Sequence, residues 1–169
     1  MNKAIFLDRD GVITKEKNPP DTIDDLSIND IDDFLNEMKD LGFLIFCVTN
    51  QPDVARGTRK KEDVAHINDY LWAIFPQITL FEVCYHEDAD NCVCRKPKAG
   101  LLIYLAREFD IDLSKSWMIG DRWRDIGAGI NAGCKTILID RNYQEEVYIA
   151  PSFIVKNINN SIKHIKENQ

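Results

Sequence analysis

The chain has 169 residues, of which 44% are hydrophobic and 29% are charged. This length and composition predict a soluble globular protein of about one domain with its own core. A formal net charge of −7 argues against a protein that coats nucleic acid or an anionic membrane, because both favour a basic surface. The longest apolar run, residues 43–48, is too short to span a membrane, and the first charges come too early for a secretory signal. We therefore expect a cytoplasmic protein.

Six short apolar segments predict β-strands at residues 4–7, 43–48, 80–83, 117–119, 136–139 and 153–155. Apolar residues are adjacent in them rather than alternating, as in parallel strands buried on both faces. Helical patterns lie between them, at residues 31–41, 64–75, 101–109, 124–132 and 158–165. We expect Asp30 to cap the first helix and Gly42 to end it. This alternation predicts an α/β fold, a Rossmann-like three-layer sandwich with a mostly parallel central sheet, in a single domain of residues 1–169.

Polar residues follow several of the predicted strands, at the edge where an open parallel sheet binds its ligands. The residues expected at that edge are Asp8, Asp10, Thr49, Asn50, Gln51, Asp121 and, ahead of the third helix, Lys96. Carboxylates from two strands suit a hard cation such as Mg²⁺, and a hydroxyl and an ammonium group suit phosphate oxygens. One carboxylate could attack phosphorus while a second, with a raised pKa, protonates the leaving oxygen. Any one of these Asp residues alone would more simply be a turn former or a cap, but the whole set at successive strand ends favours chemistry.

Four segments in this order resemble the motifs of the haloacid dehalogenase superfamily of aspartate-nucleophile phosphatases. They are residues 6–13, 48–51, 96–97 and 120–125, and the resemblance covers residues 4–139. The superfamily resemblance implies no large cap domain here, because few residues separate the first two motifs. Asp125 is expected to support the site or the helix rather than to bind a metal directly.

The resemblance also implies a role for each matching residue. Asp8 would be the nucleophile that forms an aspartyl-phosphate, and Asp10 the general acid and then the general base, protonated when the substrate binds. Mg²⁺ would be bound by Asp8, the main-chain carbonyl of Asp10, and Asp121. Thr49 and Lys96 would hold the phosphoryl group that is transferred.

A cluster of cysteines predicts a second metal site. Cys84, His86, Cys92 and Cys94 supply three thiolates and an imidazole, which form a closed structural zinc set. Without a secretory signal this spacing indicates metal binding rather than a disulfide framework. Unligated, half-buried cysteines are the alternative, which the polar residues 87–91 make less favourable. We expect the zinc loop, residues 84–94, to form a partial lid and to orient the cations that follow it.

The order Cys-x-Cys-Arg-Lys-Pro at residues 92–97 resembles two families of phosphatases within the superfamily, those acting on heptose bisphosphates and those acting on histidinol phosphate. Residues 54–57 and 98–102 resemble the heptose enzymes more. The resemblance implies a small phosphorylated metabolite as partner, most simply a sugar phosphate such as D-glycero-D-manno-heptose 1,7-bisphosphate, which would lose its 7-phosphate. Histidinol phosphate is the alternative substrate, and a catalytically inactive zinc-bearing binding module is the alternative function.

Further residues are expected to contact the substrate of a monomeric enzyme. They are Asn50, Gln51, Arg56 and Arg95. Residues 15–23 differ from the segment that the heptose enzymes usually carry there, and they would touch the distal part of the substrate. Residues 59–61 are basic, and we expect them to begin a solvated helix rather than to bind substrate.

Overall fold

The computed structural model describes residues 1–15, 22–145 and 149–168. Its strands are β1 (Lys3–Leu7), β2 (Phe43–Asn50), β3 (Leu80–Cys84), β4 (Trp117–Gly120), β5 (Lys135–Ile139) and β6 (Phe153–Val155). Its α-helices are α1 (Asp32–Asp40), α2 (Lys61–Ile74), α3 (Gly100–Glu108), α4 (Trp123–Ala132) and α5 (Ser161–Glu167). Short 3-10 helices lie at Ile23–Asp25, Asp88–Asp90, Leu113–Lys115 and Ile158–Asn160.

The six strands form one sheet in the order β3-β2-β1-β4-β5-β6. Every strand pairing in this sheet is parallel, so the predicted α/β fold with a parallel central sheet is confirmed. Within the described residues, no large cap domain interrupts the fold, as predicted. No described helix is long and apolar enough to cross a membrane.

Neighbouring residues of each central strand face opposite sides of the sheet and build two separate cores. In β1, Ile5 and Leu7 pack into one core, while Ala4 and Phe6 pack into the other. Helices α1, α2 and α5 cover the first face, and α3 and α4 cover the second. Each fully buried large side chain contributes about 1.5–3 kcal/mol through the hydrophobic effect, so both layers of helices are firmly attached to the sheet.

The start of α1 differs from the prediction. Asp30 does not cap this helix, because the cap position is Ile31, whose fully buried side chain belongs to the core. The acidic first-turn residues Asp32 and Asp33 instead interact favourably with the positive end of the helix dipole. Gly42 follows the helix with a φ of +80°, a left-handed conformation that ends it as predicted.

The strand order determines which chain segments meet at the carboxyl edge of the sheet. Because β1 lies between β2 and β4, Leu7 pairs with Cys47 on one side and with Ile119 on the other. The chain leaving β1 at Asp8 therefore emerges between the ends of β2 and β4. The main-chain N–H of Asp8 donates to the carbonyl of Ile119 at 3.0 Å, which extends the pairing by one residue and fixes where this aspartate stands.

Candidate active site

The ammonium group of Lys96 lies at the centre of the carboxyl edge and is almost completely buried. Its Nζ atom is 2.8 Å from Asp8 Oδ1 and 2.6 Å from Asp125 Oδ1. It also donates to the carbonyl of Val48, at 2.8 Å, so it is tied to strand β2. Burial by itself lowers the pKa of Lys96, but the charges of Asp125 and Asp8 outweigh burial and raise it. Lys96 is therefore positively charged and joins two carboxylates from different elements.

Three carboxylates meet beside this ammonium group. Asp8, Asp121 and Asp125 each present an oxygen, and these oxygens lie within 4.8 Å of one another. Burial and the negative charge of Asp125 raise the pKa of Asp8 well above its usual range, although Lys96 opposes the shift. A cluster of hard oxygen ligands that repel one another matches the chemistry of a divalent cation such as Mg²⁺.

The space around Asp121 depends on a glycine. Gly11 has a φ of +86°, and a Cβ atom added there would stand 1.8 Å from Asp121 Oδ2. Any other residue would push the carboxylate out of the cluster. Asp125 is used differently, because its Oδ2 accepts the main-chain N–H of Arg122 at 3.0 Å while its Oδ1 contacts Lys96. Both oxygens of Asp125 thus have protein partners, in line with the supporting place expected for it.

The carboxylate of Asp10 lies apart from this cluster, in a cage of donors. Arg9 donates to both of its oxygens, at 3.1 and 3.0 Å, and Gln51 donates at 2.7 Å. Thr14 adds a hydroxyl at 3.2 Å. The guanidinium of Arg9 is fully buried and held in place by Asn68 of α2, whose Oδ1 accepts at 3.0 Å.

This cage determines the protonation state of Asp10 in the ligand-free protein. Burial raises the pKa of Asp10, but the charge of Arg9 and the hydrogen bonds from Arg9, Gln51 and Thr14 outweigh burial and lower it. In the ligand-free protein Asp10 is consequently an ionised carboxylate, and the expectation that it is protonated when the substrate binds stays a prediction.

The end of strand β2 places Thr49 and Gln51 next to Asp10. Both are buried, and Gln51 donates to Thr49 Oγ1 at 3.0 Å as well as to Asp10. Arg59 reaches the same group, with Nη1 3.4 Å from Gln51 Oε1. The prediction that Arg59 is solvated is wrong: its side chain is 8% exposed, and α2 begins only at Lys61. The main-chain N–H of Arg59 donates to Asp53, which turns this segment back towards the site.

Asn50 holds the main chain of Lys96 at both of its polar groups. Its Nδ2 donates to the Lys96 carbonyl at 3.1 Å, and its Oδ1 accepts the Lys96 N–H at 3.1 Å. Asn50 thus clamps the residue that carries the central ammonium group, and its expected contact with the substrate stays a prediction.

The four predicted zinc ligands converge. Sγ of Cys94 lies 3.3 Å from Sγ of Cys84, 3.5 Å from Sγ of Cys92 and 3.3 Å from Nδ1 of His86. The edges of a tetrahedron around zinc with bonds of about 2.3 Å are only slightly longer than these separations. The arrangement of three sulfurs and one imidazole nitrogen is thus compatible with a closed zinc site.

The loop that carries these ligands also holds two of the expected substrate-binding cations. Arg95 Nε donates to Asp88 Oδ1 at 2.7 Å, and its Nη1 donates to the carbonyl of His86. Arg56, on an exposed loop, pairs with Asp53 at 3.3 Å and with Glu87 at 3.5 Å. A cavity of about 250 Å³ opens beside them, lined by Glu87, Asp88, Asn91, Cys92, Arg95, Lys96, Pro97 and Lys98.

Some residues at this edge were not predicted. Arg141 and Tyr143 follow strand β5, and they reach Gly11 and Asp121 respectively. The sequence could have indicated these two residues, because they follow a predicted parallel strand. The same position after a strand identified Asp8. The segment of residues 15–23, expected to touch the distal part of the substrate, falls mostly outside the described residues, because residues 16–21 are not among them.

Known proteins are similar to this chain in sequence or in fold. A family model described as HAD-hydrolase-like matches residues 93–161. A D-glycero-alpha-D-manno-heptose-1,7-bisphosphate 7-phosphatase of Campylobacter jejuni is 34% identical over 168 residues, covering 98% of this chain and 96% of that protein. A D-glycero-beta-D-manno-heptose-1,7-bisphosphate 7-phosphatase of Helicobacter pylori is 36% identical over 144 residues, covering 82% and 83% respectively. Among solved structures, a D,D-heptose 1,7-bisphosphate phosphatase from B. bronchiseptica, complexed with magnesium and phosphate, matches with a TM-score of 0.85 over 99% of both chains at 23% identity.

The buried ion pairs of Lys96 generate a prediction about stability. Replacing Lys96 with Met should lower the free energy of unfolding by about 3–5 kcal/mol in Mg²⁺-free buffer, because Asp8 and Asp125 then lose their buried counter-charge. Adding Asp125→Asn to this variant should recover part of the loss. Urea denaturation measures both. Lys163→Met, which removes an exposed lysine, is the control and should change little. Equal stability of the Lys96→Met variant and the parent would contradict this account of the ion pairs.

Proposed function

Because the chain belongs to the haloacid dehalogenase-like phosphatases, we propose that it hydrolyses the phosphate monoester of a small sugar through a phosphorylated Asp8. The membership rests on a relative that is 34% identical over nearly the whole of both chains. It confirms the predicted family and the prediction that the chain is a phosphatase, so the inactive binding module is not retained. One observation carries the proposal: the buried contact of Lys96 with Asp8, which is one of three clustered carboxylates.

The proposed reaction has two steps. An oxygen of Asp8 attacks phosphorus, the bond between phosphorus and the sugar oxygen breaks, and Asp10 gives its proton to that leaving oxygen. In the second step Asp10 takes a proton from water, the water oxygen attacks phosphorus, and inorganic phosphate leaves with the carboxylate of Asp8 restored. Lys96 and Thr49 would hold the phosphoryl oxygens during both steps.

Asp10 must gain a proton before the first step. Its cage of donors keeps it ionised in the ligand-free protein, which is the state that the second step requires. The arrival of a dianionic phosphate raises the pKa of a neighbouring carboxylate, because a nearby like charge disfavours the ionised form. Substrate binding would thus bring Asp10 to its acid form.

The carboxylate cluster is the proposed Mg²⁺ site. Asp8 and Asp121 would bind the ion with their side chains, together with the main-chain carbonyl of Asp10, and Asp125 would remain with Lys96. When bound, the ion supplies positive charge that offsets the carboxylates and the phosphate oxygens. The similar fold from B. bronchiseptica was crystallised with magnesium and phosphate.

The proposed substrate is D-glycero-D-manno-heptose 1,7-bisphosphate, which loses its 7-phosphate. The names of the Campylobacter jejuni and Helicobacter pylori relatives support this choice, and those names divide between the alpha and beta anomers. The cavity beside the zinc loop supports it too, because Arg95 and Lys98 line it and suit a second anionic group.

We propose that the cysteine cluster holds a structural zinc ion. Four protein ligands close a tetrahedral site and leave no position for water or substrate. The ion would therefore act by ordering the loop that ends at Arg95 and Lys96, without a part in the reaction itself.

A panel of phosphate esters tests the proposed substrate. With Mg²⁺ present, phosphate release should show the highest kcat/KM for one anomer of the heptose bisphosphate, with lower values for fructose 1,6-bisphosphate and histidinol phosphate. Phosphorus NMR should show loss of the 7-phosphate, and Asp8→Asn provides the inactive blank. A higher kcat/KM for histidinol phosphate would contradict the substrate assignment.

A comparison of two substrates separates proton donation by Asp10 from its other possible roles. Asp10→Asn should lower kcat on a sugar phosphate by about 10²–10⁴-fold, because an alkoxide leaving group needs a proton. The loss on an aryl phosphate with an acidic leaving group should be clearly smaller. Asp110→Asn is the matched control, because Asp110 is exposed and lies in the loop after α3, beside the residues that precede β1 and away from the carboxyl edge. Equal losses on both esters would remove Asp10 from the acid role.

The structural role proposed for zinc can be tested by removing one of its ligands. Cys92→Ser should reduce the zinc content below one ion per chain and loosen the zinc loop. Activity on the sugar bisphosphate should then fall more than activity on a small aryl phosphate, because only the former depends on the loop. Cys134→Ala, outside the cluster, is the control. Loss of both activities in a folded variant that still binds Mg²⁺ would mean that zinc takes part in the reaction.

A further inference from the structure

The segment that follows strand β5, residues 140–145, turns sharply over the carboxyl edge of the sheet. Asp140 Oδ1 accepts the main-chain N–H of Asn142 at 2.8 Å, and Asn142 has a φ of +59°. Asparagine tolerates this left-handed conformation better than most residues do, so the turn suits the sequence. The residues on either side of Asn142 are thereby directed at two different parts of the site.

Arg141 holds the loop that follows strand β1. Its Nη2 and Nε donate to the carbonyl of Gly11 at 2.7 and 3.2 Å. Gly11 is also the residue whose missing Cβ leaves room for Asp121 Oδ2. Arg141 therefore fixes one wall of the space that this carboxylate occupies.

Tyr143 contacts the carboxylate itself. Its hydroxyl donates to Asp121 Oδ2 at 2.8 Å. Its ring lies against the guanidinium of Arg122, whose central carbon is 3.5 Å from the ring centre, and Arg122 also pairs with Glu145. Because the ring is held by this stacking, the position of the hydroxyl is set independently of Asp121.

We propose that Tyr143 is a positioning residue of the Mg²⁺ site, whose hydroxyl fixes the orientation in which Asp121 meets the ion. The inference rests on the proposed function, because it takes Asp121 to be a ligand. A hydrogen bond to one carboxylate oxygen restricts rotation of the carboxylate plane, so less orientational freedom is lost when the ion binds. Loss of such a partner of a ligating group costs about 10- to 100-fold in metal affinity or activity.

A purely structural role of this segment makes a different prediction. The stacking of Tyr143 on Arg122 and the contact of Arg141 with Gly11 attach the segment without any use of the phenolic hydroxyl. If attachment were the whole role, Tyr143→Phe would keep the ring in place and leave Mg²⁺ binding unchanged. The hydroxyl alone therefore distinguishes the two roles.

The test is calorimetric titration of the full chain, with its zinc in place, by MgCl₂ in the absence of substrate. Tyr143→Phe should raise the Kd for Mg²⁺ by about tenfold or more, while zinc content stays unchanged and urea unfolding in Mg²⁺-free buffer remains cooperative. Activity should fall by the same factor at limiting Mg²⁺ and recover largely at saturating Mg²⁺. Tyr104→Phe, an exposed tyrosine on α3, is the matched control and should bind Mg²⁺ like the parent.

Asp121→Asn in the same titration separates this inference from the proposed function. Loss of Mg²⁺ binding in Asp121→Asn together with the tenfold weakening in Tyr143→Phe supports both. Loss in Asp121→Asn with parental affinity in Tyr143→Phe overturns the positioning role alone. Parental affinity in Asp121→Asn overturns the proposed Mg²⁺ site and the positioning role with it.

Discussion

The ammonium group of Lys96 between two buried carboxylates is the interaction on which the site depends. Removing one partner of such a buried group leaves an uncompensated charge, which is far more costly than losing a surface ion pair. The fold accordingly holds Lys96 from several directions. Its side chain donates to Val48 of β2, and Asn50 clamps its main chain. The zinc loop ends two residues before it, so the proposed zinc ion would stiffen the segment that presents it.

The parallel sheet explains why these groups meet at all. Strand β1 lies between β2 and β4, so the residues that leave the three strands emerge side by side. Asp8 and Asp121 come together for this reason, and Gly11 lets their oxygens approach closely. Strand β5 lies next to β4 in the sheet, so the segment that follows β5 also emerges at this edge. This segment brings Tyr143 to Asp121. The sheet thus determines how far apart these side chains lie, and the loops after the strands determine how the side chains are oriented.

The strands, most helix positions and the carboxyl-edge residues could be predicted from the sequence, because they follow from local periodicity and from the order of elements. The remaining features depend on contacts between distant segments. The ionised state of Asp10 depends on Arg9, which Asn68 of α2 holds in place. The burial of Arg59 depends on a turn that folds it back onto Gln51, and nothing in a run of basic residues reveals that turn.

The proposed mechanism requires that the phosphoryl group pass through Asp8, and this can be tested by trapping it. The protein would be quenched during turnover of a sugar phosphate, treated with borohydride, and digested for mass spectrometry. Because borohydride reduces an acyl phosphate to an alcohol, the account predicts homoserine at position 8. With an aryl phosphate, whose leaving group needs little protonation, Asp10→Asn should contain more of it, because only the second step is then slowed. Asp8→Asn should show no modification. A phosphorylated residue elsewhere, or an unmodified Asp8 in both proteins during sustained turnover, would contradict the account.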